Sequence, residues 1–241
     1  MRIRKRWLFG GSVAALALGF ATLAHAMPGN AACAFVEFAG YETLADGTLV
    51  EPTLSPAERA SVEDLQVRAR ARISDVFGSP LAKPFVVFFR EEHAPWPFKL
   101  NTTASASFLP GRACIFIGPQ GQDIDVVAHE LMHAEIFDRV GFWRRQIEVP
   151  TWFDEGVAMQ IDHREDFILP VKERDPDGTA FVRQLKYGRQ FFVADKHQLI
   201  RNYAAAKVEA ARLFGAVGPA QLYDRLDSLR AGENFEALFD N

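Results

Sequence analysis

Ile124-Asp125-Val126-Val127-Ala128-His129-Glu130-Leu131-Met132-His133-Ala134-Glu135-Ile136-Phe137 is the stretch on which the reading of this chain turns. Asp123 and Asp125 place acids at its start, neither Pro nor Gly interrupts it, and Gly141 follows. It therefore reads as a helix that is apolar on most faces and largely buried. A helix brings residues four apart onto one face, so His129 and His133 aim two imidazoles at one locus. Two histidines with an acid after the first are costly to bury without a partner. A metal ion is the natural one. Zinc accepts neutral imidazole nitrogens, and a catalytic site uses three protein ligands, leaving a fourth position for water whose pKa falls to about 7. Glu130, beside such a water, has the chemistry of a general base. The competing reading is a core helix whose two histidines are satisfied by hydrogen bonds.

A third ligand is sought downstream, in Pro150-Thr151-Trp152-Phe153-Asp154-Glu155-Gly156-Val157-Ala158-Met159. Thr151 reads as an N-cap with Asp154 in the capping-box position, and Glu155 falls in the first turn of a new helix. Acids also favour helix N-termini through the macrodipole, so position alone leaves Glu155 divided between that role and metal binding. Gly156 favours the metal. A glycine inside a helix costs about 1 kcal/mol relative to Ala, and close approach to the His-bearing helix is the return expected for it.

These residues resemble the gluzincin metallopeptidases, the thermolysin-like and aminopeptidase-like zinc enzymes, and most closely the short bacterial members with a peptidase-MA-like domain. The match lies in His129-Glu130-x-x-His133 and in Pro150 to Ala158, which is similar to that group's proline-tryptophan-x-x-glutamate-glycine segment. Tyr203-Ala204-Ala205-Ala206, Leu213-Phe214-Gly215, residues 222–229 and Gly232 to Phe239 are similar to its closing helices. The resemblance implies one zinc ion held by His129, His133 and Glu155, water activated by Glu130, and a Tyr or His that steadies the oxyanion. Tyr203 stands where the family places a tyrosine; the alternative is a core ring with its hydroxyl at the rim. His163, His197 and Tyr187 compete for that role. Asp154, Asp125 and Asp162 are all candidates to orient a ligand histidine. The resemblance further implies a zincin-like α+β fold in which the strand at 113–117 forms a sheet edge along the cleft; a strand paired on both sides is the alternative.

The N-terminus speaks to compartment. Arg2, Arg4, Lys5 and Arg6 precede an apolar run from Trp7 to Leu23, and Ala24-His25-Ala26 has the small-x-small form of a cleavage site, so residues 1–26 read as a signal peptide. An uncleaved anchor is the alternative, although the run falls just short of the roughly 20 residues that span a bilayer. Cleavage removes four basic side chains and no acid, leaving 23 Lys plus Arg against 31 Asp plus Glu. That acidic balance argues against nucleic acid as a partner. Cys33 and Cys114 are the two cysteines of the chain, and an exported location allows them to pair; two free buried thiols are the alternative.

Punctuation organises the rest. Residues 34–38 and 48–50 read as short extended segments around Asp46-Gly47. Ser55-Pro56 opens a long helix to about Phe77. The continuous apolar run Phe85-Val86-Val87-Phe88-Phe89 reads as an interior strand, and residues 106–109 and 112–118 as two more around Pro110-Gly111. Residues 93–98 read as a packed or cleft-lining aromatic loop, and Asn101-Thr102-Thr103 matches a glycosylation sequon. A polar connector at 162–178 leads to helical segments at 179–187, 196–214, 219–229 and 234–239. Strands before helices suggest an α+β fold, a small mixed sheet packed on the His-bearing helix with a helical C-terminal lobe. The expected layout is one catalytic domain over 27–241, a sheet-bearing lobe at 27–140 and a helical lobe at 141–241. The function expected is an exported, periplasmic or secreted, zinc-dependent peptidase with a peptide or protein substrate. A non-catalytic zinc protein and a non-peptide metallohydrolase are its rivals.

Overall fold

The computed structural model describes residues 27–90, 100–170 and 173–239. The expected signal peptide and the aromatic segment 93–98 lie outside the described residues. The architecture is mixed α+β, with a small five-stranded sheet. In chain order the elements are α1 (Pro28–Phe35), β1 (Glu42–Thr43), β2 (Leu49–Val50), α2 (Pro56–Phe77), β3 (Phe85–Phe88), β4 (Ala104–Leu109), β5 (Arg112–Ile117), α3 (Ile124–Val140), α4 (Phe142–Glu148) and α5 (Thr151–Ala158). After single helical turns at Pro176–Thr179 and Gly188–Phe191 come α6 (Lys196–Val217), α7 (Leu222–Ala231) and α8 (Phe235–Phe239).

Local chemistry sets several of these bounds. Ser55 caps α2 with a full capping box to Glu58, with Pro56 just inside the helix, as the sequence predicts. Asp123 caps α3 by accepting the backbone N–H of Asp125 at 2.8 Å and of Val126 at 3.0 Å. Two expected segments differ. Residues 34–38 are not extended but belong to α1 and a short 3-10 turn, Val36–Phe38. Residues 179–187 are helical over a shorter span than expected, as a 3-10 stretch, Ala180–Gln184.

The sheet order is β1-β2-β3-β5-β4, parallel between β2, β3 and β5 and antiparallel at both ends. β3 and β5 are interior strands, which explains their unbroken apolar runs. Val86, Phe88, Ile115 and Ile117 face α2 and α3, while Val87, Phe89, Cys114 and Phe116 face α1 on the other side. This arrangement overturns the expected edge. The strand before the His-bearing helix, β5, is paired on both sides, and the outer strand is β4.

Cys33 and Cys114 form a disulfide that ties α1 to β5, so the free-thiol alternative is set aside. It closes a loop with a sequence separation of 81, a length for which the chain-entropy model gives roughly 4 kcal/mol of stabilisation. Such a bond accords with an oxidising, exported environment. Among the described residues no helix is long and apolar enough to cross a membrane.

α3 is fixed at its far end by a buried acid. Glu135 accepts the backbone N–H groups of Leu81 and Ala82, at 2.9 and 2.8 Å, and Arg139 Nε at 2.8 Å. Arg139 lies over the Tyr223 ring of α7, 3.6 Å from its centroid. On the other side, α5 packs against α6 at Gly156. A Cβ there would sit 2.5 Å from the Ala206 carbonyl oxygen and 3.0 Å from the Ala210 Cβ. The glycine does serve a close approach, but to α6 rather than to the His-bearing helix. Because the blocking atom is backbone, Gly156→Ala is expected to destabilise the protein by about 1–3 kcal/mol. A lowered midpoint in urea unfolding checks this; an unchanged midpoint would contradict the packing.

Candidate metal centre

α3 carries His129 and His133 one turn apart on the face turned toward α5, and α5 presents Glu155 from its second turn. All three residues are buried, with 5%, 5% and 7% of their surface exposed. His129 Nε2 lies 3.1 Å from His133 Nε2, and Glu155 Oε2 lies 3.3 Å from the first and 3.5 Å from the second. Three electron-pair donors thus converge with no protein cation at their centre. A tetrahedral ion with ligand bonds of about 2.0–2.2 Å separates its ligand atoms by about 3.3–3.6 Å. The observed sides of 3.1, 3.3 and 3.5 Å lie close to that spacing, and the group can hold a metal ion. The alternative of histidines satisfied by ordinary hydrogen bonds fits less well, because a pair of Nε2 atoms facing each other shares a single bond while Glu155 adds a further lone-pair donor.

The outer nitrogens of both rings meet carboxylates. His133 Nδ1 is 3.0 Å from Asp154 Oδ1, and Asp154 is gripped through its other oxygen by Arg145. His129 Nδ1 is 3.4 Å from Asp162 Oδ2, within ion-pairing reach but short of hydrogen-bond alignment. Arg164 Nε holds Asp162 at 3.0 and 3.1 Å. Each ring is therefore backed by an acid and each acid by an arginine, an arrangement that fixes the rings with Nε2 pointed inward and, in the neutral ring, favours the proton on Nδ1. Of the three acids the sequence left open, Asp154 and Asp162 take the role. Asp125 instead pairs with Arg72 and accepts the backbone N–H of His163.

Asp154 consequently is not a capping-box residue. Pro150 occupies the N-cap position without a side-chain bond, and Thr151 is already inside the helix, its hydroxyl donating to the Lys186 carbonyl at 3.3 Å. The helix start does not call on Asp154, because the Thr151 N–H already donates to the Lys186 carbonyl at 3.0 Å, whereas the buried His133 nitrogen would be costly to leave without a partner.

Charge in the site favours a cation. Burial alone would raise the Glu155 and Asp162 carboxyls, yet the facing histidines, with Arg164 at Asp162, hold both well below the usual carboxylate range. Burial alone would lower His133, yet Glu155 and Asp154 push it well above the ordinary imidazole value. The metal-free pocket thus answers its negative charge with protons, and a divalent ion can take their place.

No family model matches the chain, and no curated protein matches it.

Beside the donor triangle opens a cleft of about 550 Å³. Glu130 lines it, one residue on from His129 and outside the ligand group. Burial raises its carboxyl, with the two imidazoles opposing, so it is poised nearer the range of a proton carrier. Tyr203 of α6 also lines the cleft. Its ring centroid is 6.2 Å from that of His129 and is braced by Phe191 at 5.1 Å and Phe167 at 5.3 Å. Burial pushes its hydroxyl pKa upward, which keeps it a proton donor in hydrogen bonds. Of its rivals, His163 and His197 are exposed and do not line the cleft, whereas Tyr187 stands at its rim. β4 also lines the cleft, through Ala104, Ser105, Ala106 and Phe108. Arg145 and Arg164 went unread in the sequence. The one local signal was Arg164, two residues after Asp162 in a polar stretch, where a turn brings guanidinium and carboxylate together.

Proposed function

We propose that this chain is a zinc-dependent metallopeptidase of the gluzincin kind, with a zincin-like fold, acting outside the cytoplasm on peptide bonds. One observation carries the reading: a buried donor triangle spaced for a tetrahedral ion, with a carboxylate that is not a ligand, Glu130, beside it in an open cleft. Two imidazoles and one carboxylate suit zinc, whose charge when bound there would polarise a carbonyl and lower the pKa of water at the open position to about 7.

The chain's own residues supply the rest. Glu130 accepts a proton from the attacking water and delivers it to the leaving nitrogen, and its upward-shifted carboxyl suits both halves of that exchange. The Tyr203 hydroxyl donates to the oxygen on which negative charge develops. Asp154 and Asp162 hold the ligand rings in one tautomer. β4, the outer strand of the sheet among the described residues, lines the cleft and supports a peptide rather than a compact substrate, because an outer strand can bond an extended backbone. The Cys33–Cys114 bond supports an exported location.

The test joins metal content to turnover. Purified protein lacking residues 1–26 is expected to hold about one zinc per chain and to cleave a denatured, fluorescently labelled polypeptide. A strong chelator is expected to remove both, and zinc to restore both. Stoichiometric zinc without cleavage would leave a non-catalytic zinc protein, and cleavage that survives complete metal removal would end the proposal.

A further inference from the structure

We propose that the outer face of α4, with the groove beside it, is a docking surface for an apolar stretch of the polypeptide substrate remote from the bond that is cut; this rests on the peptidase reading above. α4 presents Trp143 and Ile147 one turn apart, so both stand on one face of the helix, and they are 69% and 75% exposed. No residue of this helix is buried. Its other side chains are engaged: Arg144 pairs with Glu148 at 2.8 Å, Arg145 reaches Asp154, and the Phe142 ring packs on Phe137 with centroids 6.5 Å apart. The Trp143 ring stands edge-on to Phe142, 5.0 Å between centroids, which holds it in place without covering it. Apolar groups gathered on one face within a rim of charge are the form in which a folded chain presents an interaction site.

Continuity with the cleft identifies the occupant. A groove of about 300 Å³ is lined by Ile147 and by Phe235 at the start of α8, and it shares Gln146, Val149, Lys186 and Tyr187 with the cleft beside the metal group. A chain that lies extended in the cleft continues into this groove and meets Ile147, with Trp143 one turn away on the same helix. The charges at the groove are paired, Glu148 with Arg144 and Lys186 with Glu236 at 3.6 Å, so what it offers a partner is apolar. A second copy of the chain fits less well, since two side chains fall short of the roughly 800 Å² that each partner of a stable interface buries. A concave groove likewise suits a chain better than the broad plane of a bilayer. The consequence is a preference for long, unfolded polypeptides over short peptides.

The experiment uses the zinc-loaded mature protein and one quenched-fluorescence core peptide, alone or lengthened at either end by about eight residues, which reach up to about 26–29 Å. The extension is rich in Leu and Trp or in Ser and Asn. At one end the apolar extension is expected to lower KM at least about tenfold with kcat unchanged, as binding felt equally before and during the reaction does, and the polar extension to leave KM as in the core peptide. In Trp143→Ser/Ile147→Ser that gain is expected to vanish while the core peptide is cut as by the wild type. Ile147→Ser alone, which leaves the Trp143–Phe142 contact in place, is expected to lose part of it. Fluorescence anisotropy reads binding of the same peptides to Glu130→Gln, with and without the double substitution. Core cleavage with no gain from the apolar extension, or a gain that persists in the double variant, would overturn the docking surface and leave the peptidase reading standing. If no peptide is cut, the peptidase reading falls; binding of the apolar extension that the double substitution abolishes would then still support the surface, and equal binding would overturn it too. Dimerisation in sedimentation velocity, or binding to phosphatidylcholine–phosphatidylglycerol vesicles, that depends on Trp143 and Ile147 without any gain from the extension would give the face to a second copy or to a bilayer and overturn the proposal.

Discussion

Glu130→Gln is expected to lower kcat for hydrolysis of an unfolded polypeptide by about 10²–10⁴-fold, the range that a positioned general base supplies. The substitution keeps the size of the side chain and removes its ability to take up a proton. Glu130 lies outside the donor triangle, so zinc content and KM are expected to change little. That split separates a proton carrier from a structural acid, because loss of a structural group would lower zinc occupancy and thermal stability together. Glu135 provides the internal contrast. It belongs to the same helix and is wholly buried, but its oxygens are spent on Leu81, Ala82 and Arg139. Removing one partner of so buried a charge pair costs about 3–5 kcal/mol, so Glu135→Gln is expected to act on folding rather than on turnover. Full activity in Glu130→Gln would remove the mechanism.

Glu155→Ala is expected to weaken zinc binding well beyond the roughly 10–100-fold that loss of an orienting partner costs. Asp162→Asn, which removes such a partner from His129, is expected to fall inside that range. Chelator competition on the two variants beside the wild type orders them, and retained full affinity in Glu155→Ala would remove the third ligand. Proton competition adds a dependence on pH. Burial opposes the proton on His133, but Glu155 and Asp154 outweigh it and raise its pKa well above 6.5. In the metal-free protein that proton therefore contributes stability that is full below pH 6.5 and lost as pH rises through the raised value. Zinc has to displace it, so the rise in Tm on adding zinc is expected to grow from pH 6 to pH 8 in the wild type. In Glu155→Ala that rise is expected to be small throughout.

Legibility followed the range of the interaction. The helix at 56–77 could be read from Ser55 and Pro56, because a cap is a contact between neighbours in sequence. The two imidazoles could be placed on one face because the helical period fixes the angle between His129 and His133. The interior strands could be read from apolar runs at 85–88 and 112–117, although the same runs could not say which strand would be the edge. Segment 34–38 misled, since a short apolar run fits a strand and a buried helix equally well. Asp154 misled for another reason. Its spacing from Thr151 fits a capping box, and nothing local reveals that His133 and Arg145 lie within reach.

By itself, then, the sequence determined the α+β class, the His129–Glu130–His133 face, and the choice of Glu155 as the candidate carboxylate. Only the tertiary structure decided which acid backs which imidazole, that arginines hold those acids, that Gly156 meets Ala206, and that β4 walls the cleft. The physical reason is one of range. Backbone geometry sets where a side chain points within its own element, whereas what it meets depends on the packing of elements far apart in the chain, to which every buried residue contributes and no short motif does.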